Sequence, residues 1–352
     1  MAETYYVDTI NGNDDLGTND GLTFADAWKS AAFAVASLGT GQNGTLTDHT
    51  TILCSGGEDA GELDINNSGS TYDLTIEANS GESDGWYQGE GFSTSHYYSS
   101  HTTSGIRCNH ENNDLSVPLL LNIQYISKRT GTGRRCLDNR FGNTLQGVRL
   151  FNNEDAPNLG FDMARGTFSG FGILLGCFAD MTRQLGGPTG SVGGSCFVVG
   201  TGTSARTNVV DNCTAIGGAK GLEIFSSSVA HTNTIRNMVI SSCTDAISDE
   251  NASSTEAGTN CAHEDTAESW ETGHVTLAPT TDFEGADTTS DYRPTLDGTG
   301  QLDAGGTSAS TAVTDVAGVA FEATPSIGAW EHVAAAGGVA PQYQHLRRQW
   351  SR

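Results

Sequence analysis

Two stretches of the chain repeat each other at an offset of 25 residues. Thr207-Asn208-Val209-Val210-Asp211-Asn212-Cys213-Thr214-Ala215 lies against Thr232-Asn233-Thr234-Ile235-Arg236-Asn237-Met238-Val239-Ile240, and Gly221-Leu222 then falls on Ala246-Ile247. Each unit holds two or three short runs of alternating apolar residues, separated by Gly, Asn or Ser. A unit this small cannot bury its own apolar face. A strand-only period of about 20–30 residues is therefore the signature of a β-solenoid, in which each rung pairs its backbone with the rungs on either side. The same pattern continues upstream. It predicts strands at Thr50 to Cys54, Leu63 to Ile65, Leu74 to Ala78, Leu119 to Ile126, Leu145 to Phe151, Gly172 to Phe178 and Ser195 to Gly200. Roughly ten rungs fit between residues 45 and 290.

Composition agrees. With 45 Gly, 7 Pro and only 17% charged residues, the chain is poor in helix formers and rich in turn formers. This argues against a helical bundle or a doubly wound α/β enzyme. The 42 acids and 17 bases give a formal charge of −25. No nucleic-acid partner is expected, because phosphate affinity needs clustered Lys and Arg. No apolar run approaches the roughly 20 residues that span a bilayer, so membrane insertion is not expected. The first thirty residues lack a basic start, an apolar core and a cleavage site, which reads as a cytoplasmic product without a signal peptide. The eight cysteines form neither CxxC nor zinc-finger spacing. Several sit in apolar runs, as stacked reduced core residues would; disulfides are the alternative.

A solenoid needs caps over its open ends. Thr23-Phe24-Ala25-Asp26 reads as a capping-box variant, and Trp28, Ala31, Ala32, Val35 and Leu38 recur at helical spacing before Gly39. Around this predicted cap helix stand Tyr5-Tyr6-Val7-Asp8, Asn11-Gly12-Asn13-Asp14 and Asp20-Gly21-Leu22. Near the other end are Asp291-Tyr292-Arg293-Pro294, Gln301-Leu302-Asp303-Ala304-Gly305 and Ser326-Ile327-Gly328-Ala329-Trp330-Glu331. These phrases resemble the opening and closing of right-handed parallel β-helix repeat proteins of the pectate-lyase-like superfamily, with Trp330 where Tyr is usual. The resemblance covers residues 5 to about 332. It implies an all-β triangular coil with three sheets per rung, from which residues 79 to 105 and 179 to 194 leave as loops. It does not specify function: the family spans pectate-lyase-like enzymes, bacterial surface proteins and bacteriophage tailspikes.

The chain thus divides into an N-terminal strand and capping helix (1–44), β-helix rungs with insertions (45–290), a closing segment (291–332), and a linker with an anchor peptide (333–352). The candidate chemistry is sparse. Asp211, Glu223, Asp245, Asp249 and Glu250 fall on adjacent rungs, yet a solvated acidic face explains them, and no catalytic residue is assigned. Glycosidases need two carboxylates flanking one bond. The Asn11 to Gly21 loop is rich in oxygen donors suited to Ca²⁺, but it lacks EF-hand spacing. Asx turns explain it as well, and neither a cofactor nor a metal site is assigned. The densest aromatic patch supplies candidate glycan contacts at Trp86, Tyr87, Tyr97 and Tyr98.

After Glu331 the composition changes. The last 21 residues hold three arginines and no acid, which leaves 14 bases against 42 acids, or −28, in the rest. Tyr343, His345, Leu346, Arg347, Arg348 and Trp350 form a basic, aromatic docking peptide behind a small-residue linker. Together these features suggest a bacteriophage virion protein, either a head decoration or spike or a tail-associated spike. Its expected partners are capsid or tail proteins and a host-surface polysaccharide, and analogy with β-helix spikes suggests a homotrimer. The alternative is a carbohydrate lyase or glycoside hydrolase of tailspike or pectate-lyase type.

Overall fold

The computed structural model describes residues 3–15, 19–38, 46, 48–65, 71–88, 92–102, 105–110, 112–128, 135–140, 143–152, 159–163, 171–181, 194–200, 203–225, 229–250, 253–283, 292–295, 301–303, 305–312 and 314–331. The chain winds through three sheets in turn. Among the described residues sheet A has ten strands, from Glu3–Asp8 to Glu271–Thr272; sheet B has nine, from Glu58–Asp59 to Val275–Thr276; sheet C has seven, from Asp64–Ile65 to Asp245–Asp249. Neighbouring strands within each sheet are parallel, which makes the molecule a parallel β-helix. At about 4.8 Å per rung, ten strands make a rod about 45 Å long. No described helix is long and apolar enough to cross a membrane.

The 25-residue offset is the strand register. Thr207 stands opposite Thr232, Thr214 opposite Val239, and Leu222 opposite Ile247. Inward side chains form ladders: Ile52, Ile76, Leu120, Leu145, Leu174, Val210 and Ile235 follow one another up sheet A, all buried. In sheet C, Phe161 stacks on Phe197 with centroids 5.0 Å apart.

The corner from sheet A to sheet B has one solution, repeated seven times. Asn122, Gly147, Gly176, Asn212, Asn237, Asn260 and Gly273 all adopt positive φ, between 49° and 71°. Only Gly, and at modest cost Asn, takes this left-handed conformation readily. The predicted strands Leu119 to Ile126, Leu145 to Phe151 and Gly172 to Phe178 are corrected accordingly. Each is two strands in different sheets, broken at Asn122, Gly147 and Gly176. The following residue turns inward: Ile123, Val148, Cys177, Cys213, Met238 and Cys261 are all buried. The thiols of Cys177, Cys213 and Cys261 point back to the carbonyls of Leu175, Asp211 and Thr259, at 3.6, 3.4 and 3.9 Å. All eight cysteines are free and seven are buried. Burial pushes the Cys261 thiol up to about 12.

The N-terminal cap is shorter than its sequence pattern. Thr23 caps only a 3-10 turn, Phe24–Asp26, and the helix proper is Ala31–Ser37, capped by the Ser30 hydroxyl, which accepts from the Phe33 N–H at 3.1 Å. Trp28 is not helical, because its backbone is committed to the first strand: its N–H donates to Tyr6 O and its carbonyl accepts from Asp8 N–H. Its ring stacks on Tyr5 at 5.4 Å. Ala31, Ala34 and Val35 of the helix are buried in the main core.

A strap made by residues 305–331 closes the flank. It climbs along the asparagine corner. Asn260 Nδ2 donates to Gly305 O (2.9 Å), Thr307 N–H to Asn237 Oδ1 (2.7 Å) and Thr311 N–H to Asp211 Oδ2 (2.8 Å). Further along, Arg149 donates to Val316 O (2.9 Å). The strap then returns, and its Val316, Ala329 and Trp330 cover the outward stripe Ile126, Phe151, Phe178 and Ile216 of sheet B. Trp330 meets Phe178 edge to face at 4.7 Å. Gly328, with φ 107°, is fixed by crowding: a Cβ there would lie 2.9 Å from both Thr214 Oγ1 and Val239 Cγ2. The closing phrase Ile327-Gly328-Ala329-Trp330-Glu331 is therefore a clamp.

Candidate functional site

Between the sheet A strand Leu74–Ala78 and the sheet B strand Tyr98–His101 the chain leaves the coil and folds a small platform. The inserted loop is thus shorter than residues 79 to 105, because Tyr98–His101 is a rung strand; likewise Phe178–Asp180 is a strand, so Ala179 and Asp180 belong to the coil. Asn79 organises the platform: its carbonyl accepts from Trp86 N–H at 3.1 Å, and its side chain accepts from Gly81 N–H at 2.9 Å. Gly85 is required there, since a Cβ would lie 1.9 Å from Asn79 O.

The platform holds a cleft of about 320 Å³ lined by Ser80, Glu82, Ser83, Trp86, Tyr87, Gln88 and His96. This is near the lower end of the range for small-molecule sites, about 300–1,000 Å³. Tyr87 and His96 meet with centroids 4.9 Å apart. Buried Arg149 lies behind Tyr87, with its guanidinium carbon 5.4 Å from the ring centroid. The strap touches the far side, where a Cβ on Gly318 would lie 2.0 Å from Trp86 Cη2. Ser93 Oγ engages His96 Nδ1 at 2.8 Å. Burial lowers the imidazole below its ordinary value; Asp84 opposes this and Arg149 adds to it, which favours the neutral ring.

The four predicted glycan residues therefore separate. Trp86 and Tyr87 line the cleft, half-buried. Tyr97 is 1% exposed, and its hydroxyl donates to Asp59 at 3.1 Å inside the coil. Tyr98 is also buried, packed edge to face against Phe92 at 4.9 Å. The rings of Tyr97 and Tyr98 are covered by protein and present no face to a sugar. Tyr97 sits in the main core of the coil, and Phe92 of the insertion packs over Tyr98. Glu82 and Gln88 complete the cleft without any motif to announce them. Arg149 gives no local signal at all, because its neighbours arrive from distant sequence.

The outward face of sheet C is the second chemical feature. Asp64, Arg107, Asp138, Asp162, Val198, Glu223 and Ser248 follow one another on successive strands. Asp138 pairs with Arg140 at 2.8 Å, and Asp162 pairs with Arg135. Glu223 accepts from Ser195 Oγ and Lys220 Nζ, each at 2.6 Å, and Lys220 also reaches Glu250 at 2.8 Å. Asp245, Asp249 and Glu250 are exposed. Asp211 lies elsewhere, buried on sheet A. Its register partner is Arg236, whose Nη2 donates to it at 2.6 Å, and Thr311 of the strap also donates to it. Asp211 is thus a structural anchor.

In and just before the Asn11 to Gly21 loop the carboxylates serve the backbone. Asp8 accepts from Ile10 and Asn11 N–H at 2.9 and 3.0 Å, and Asp14 from Lys29 and Ser30 N–H at 2.7 and 3.1 Å. No group of three metal-ligating side chains occurs among the described residues. The proposed anchor residues Tyr343, His345, Leu346, Arg347, Arg348 and Trp350 lie outside the described residues.

The coils, the corners and the strap define a parallel β-helix. No protein-family model matches the chain, and no curated protein matches it. Among solved structures it is similar to the crystal structure of pectate lyase Pel9A, at 15% identity and a TM-score of 0.30, over 94% of this chain and 96% of that chain.

Proposed function

We propose that the protein is a structural component of a bacteriophage or phage-like particle, a head decoration or a spike. In this reading its C-terminal peptide docks on capsid or tail proteins, and its rod presents the Trp86–Tyr87 cleft to a host-surface polysaccharide. The observation that carries the reading is the clamp at Glu331. The chain is fastened to the rod as far as Trp330, by Gly328 N–H to Asn237 O at 2.7 Å, Ala329 N–H to Thr214 Oγ1 at 2.8 Å and the Trp330 ring on Phe178, and Glu331 N–H then bonds Asp315 Oδ2 within the strap at 3.0 Å. Everything beyond it changes sign: the linker and peptide carry +3 against −28 for the remainder, whose 14 bases face 42 acids. A peptide of opposite charge and aromatic content, rooted on a rod's flank, suits attachment to a separate surface. Docking there would hold the rod side-on.

The test compares the full chain with one truncated after Glu331 in a binding assay on particle components. The truncated protein should keep its β-rich circular dichroism and lose association. Equal binding by both forms, or by neither, would sink the anchor.

A second reading, cleavage of a polysaccharide, rests on Asp138 and Asp162. They are register partners, about 4.8 Å apart at Cα, among Arg107, Arg135 and Arg140. Both carboxylates are buried and ion-paired, so a substrate would have to displace Arg135 and Arg140 to reach them. Activity in a polysaccharide screen that disappears in Asp138→Asn would favour this reading; an inactive wild-type chain would remove it.

A further inference from the structure

We propose that the Trp86–Tyr87 cleft takes an amino sugar, with its ring against the aromatic side chains and its ammonium at Glu82, and that it rejects uronic acids. This rests on the cleft being a sugar site, and it adds the class of sugar.

The argument starts from the charges around the cleft. Its lining contributes one carboxylate, Glu82, which is exposed, and no permanent cation. The polar side chains Ser80, Ser83 and Gln88 are neutral hydrogen-bonding groups able to meet hydroxyls. His96 is the one titratable group that could add positive charge. Its Nδ1 is engaged by Ser93 and its burial favours the neutral ring, so Nε2 is left as a neutral hydrogen-bonding group. Asp84, close enough to His96 to act on its titration, adds further negative potential. Arg149 offers no compensation. It is buried under Tyr87, its guanidinium bonds the Val316 carbonyl, and it faces the Asp315 carboxylate.

A ligand carboxylate would therefore meet Glu82 and Asp84 with no cation free to receive it. A protonated amine would find Glu82 at the rim. The rest of the molecule reinforces this selection: a formal charge of −25 repels a polyanionic glycan before contact and draws a polycationic one in. The half-buried Trp86 and Tyr87 supply the apolar contact that a pyranose ring needs, and this contribution is indifferent to charge. Affinity for the ring and discrimination among sugars are thus assigned to different residues.

The experiment is titration of the full-length protein with three oligosaccharides of equal length: a β-1,4-glucosamine tetramer, its fully N-acetylated counterpart and a galacturonate tetramer. The glucosamine tetramer should bind tightest and the galacturonate not at all. Glu82→Gln should weaken the glucosamine tetramer by about 1.5-fold to fivefold, the range of one exposed charge pair, and leave the acetylated tetramer unchanged. Raising the salt should erase the same difference. Glu82 is exposed, so this variant folds as the parent does. Tyr87→Ala should abolish binding of both hexosamine probes, with hydrogen exchange confirming that the strap is still docked. Equal binding of all three tetramers, or preference for galacturonate, overturns the amino-sugar assignment while leaving a sugar site in place. Glu82→Gln without effect also overturns it. If no tetramer binds, or if Tyr87→Ala has no effect on binding, the sugar-site reading itself fails.

Discussion

The asparagines at the A-to-B corner do two things that no other residue type combines. Their backbone accepts the left-handed turn, and their side chains bond along the rod. Asn237, with φ 52°, donates to Asn212 Oδ1 at 3.2 Å and to Thr307 O at 3.0 Å, and accepts from Thr307 N–H at 2.7 Å. Asn237→Ala should therefore destabilise by about 2–4 kcal/mol, combining lost buried hydrogen bonds with left-handed strain. Asn237→Gly loses the same bonds but not the backbone fit, and should recover about 1 kcal/mol of that in denaturant unfolding. Equal losses for Ala and Gly would show that the turn is unstrained. Gly318 is a sharper case. With φ 82°, its missing Cβ is what lets the strap reach the Trp86 ring. Gly318→Ala should cost about 1–3 kcal/mol by overpacking and withdraw the strap tip from the cleft. Hydrogen exchange at Gly318 and Val319 should accelerate; unchanged protection there would mean that the contact adds nothing.

At the scale of elements, the strap is held by two buried carboxylates with an unusual pH dependence. Burial pushes Glu331 up to about 7, assisted by Glu322 and Asp315; burial also raises Asp315, which faces Arg149 and accepts three backbone N–H groups. An acid whose folded pKa exceeds its unfolded value binds more protons folded than unfolded, so it favours folding less as pH rises. For Glu331 the contribution is greatest below about 4.5, declines between there and about 7, and is flat above. Protection of the Ile327 and Gly328 amides should thus be stronger at pH 5.5 than at pH 8. Glu331→Gln should remove most of the difference, whereas an undiminished difference in that variant would assign it to general charge repulsion. This element also marks the limit of what the sequence discloses. The repeat offset is the strand register, so the pairs Asp211–Arg236 and Leu222–Ile247 could be read directly from the sequence. Leu119 to Ile126 could not be divided, because Asn122 is only one residue in an apolar run and its sign of φ is set by the corner. The cleft was half legible. Trp86 and Tyr87 stand out by density, but Tyr97 is drawn into the main core and Phe92 covers Tyr98, and Arg149 is recruited through a strap 167 residues away.

For the whole molecule, the strap changes what kind of polymer the rod is. A bare solenoid couples each rung only to its neighbours, so it can fray from an end or unfold in blocks. Here residues 305–331 bind coils from Arg149 to Asn260, with partners up to 168 residues apart in sequence. One segment thereby makes distant rungs interdependent. It also covers Ile126, Phe151, Phe178 and Ile216, which would otherwise form an exposed apolar stripe on sheet B. The far end is closed separately, by Trp270 over Gly258 and by the buried pair of His263 and Glu271 at 3.0 Å. The full-length chain should accordingly unfold in a single calorimetric transition. A chain truncated after Thr295 should lose that unity. Its coils from Thr207 to Thr276, which lose the bonds at Asp211, Asn212, Asn237 and Asn260, should exchange amide hydrogens well before those from Thr50 to Ser127. The uncovered stripe should drive self-association that a hydrophobic dye detects. If the truncated chain instead unfolds in one step with uniform protection, the rungs are cooperative by themselves and the strap is only a cover.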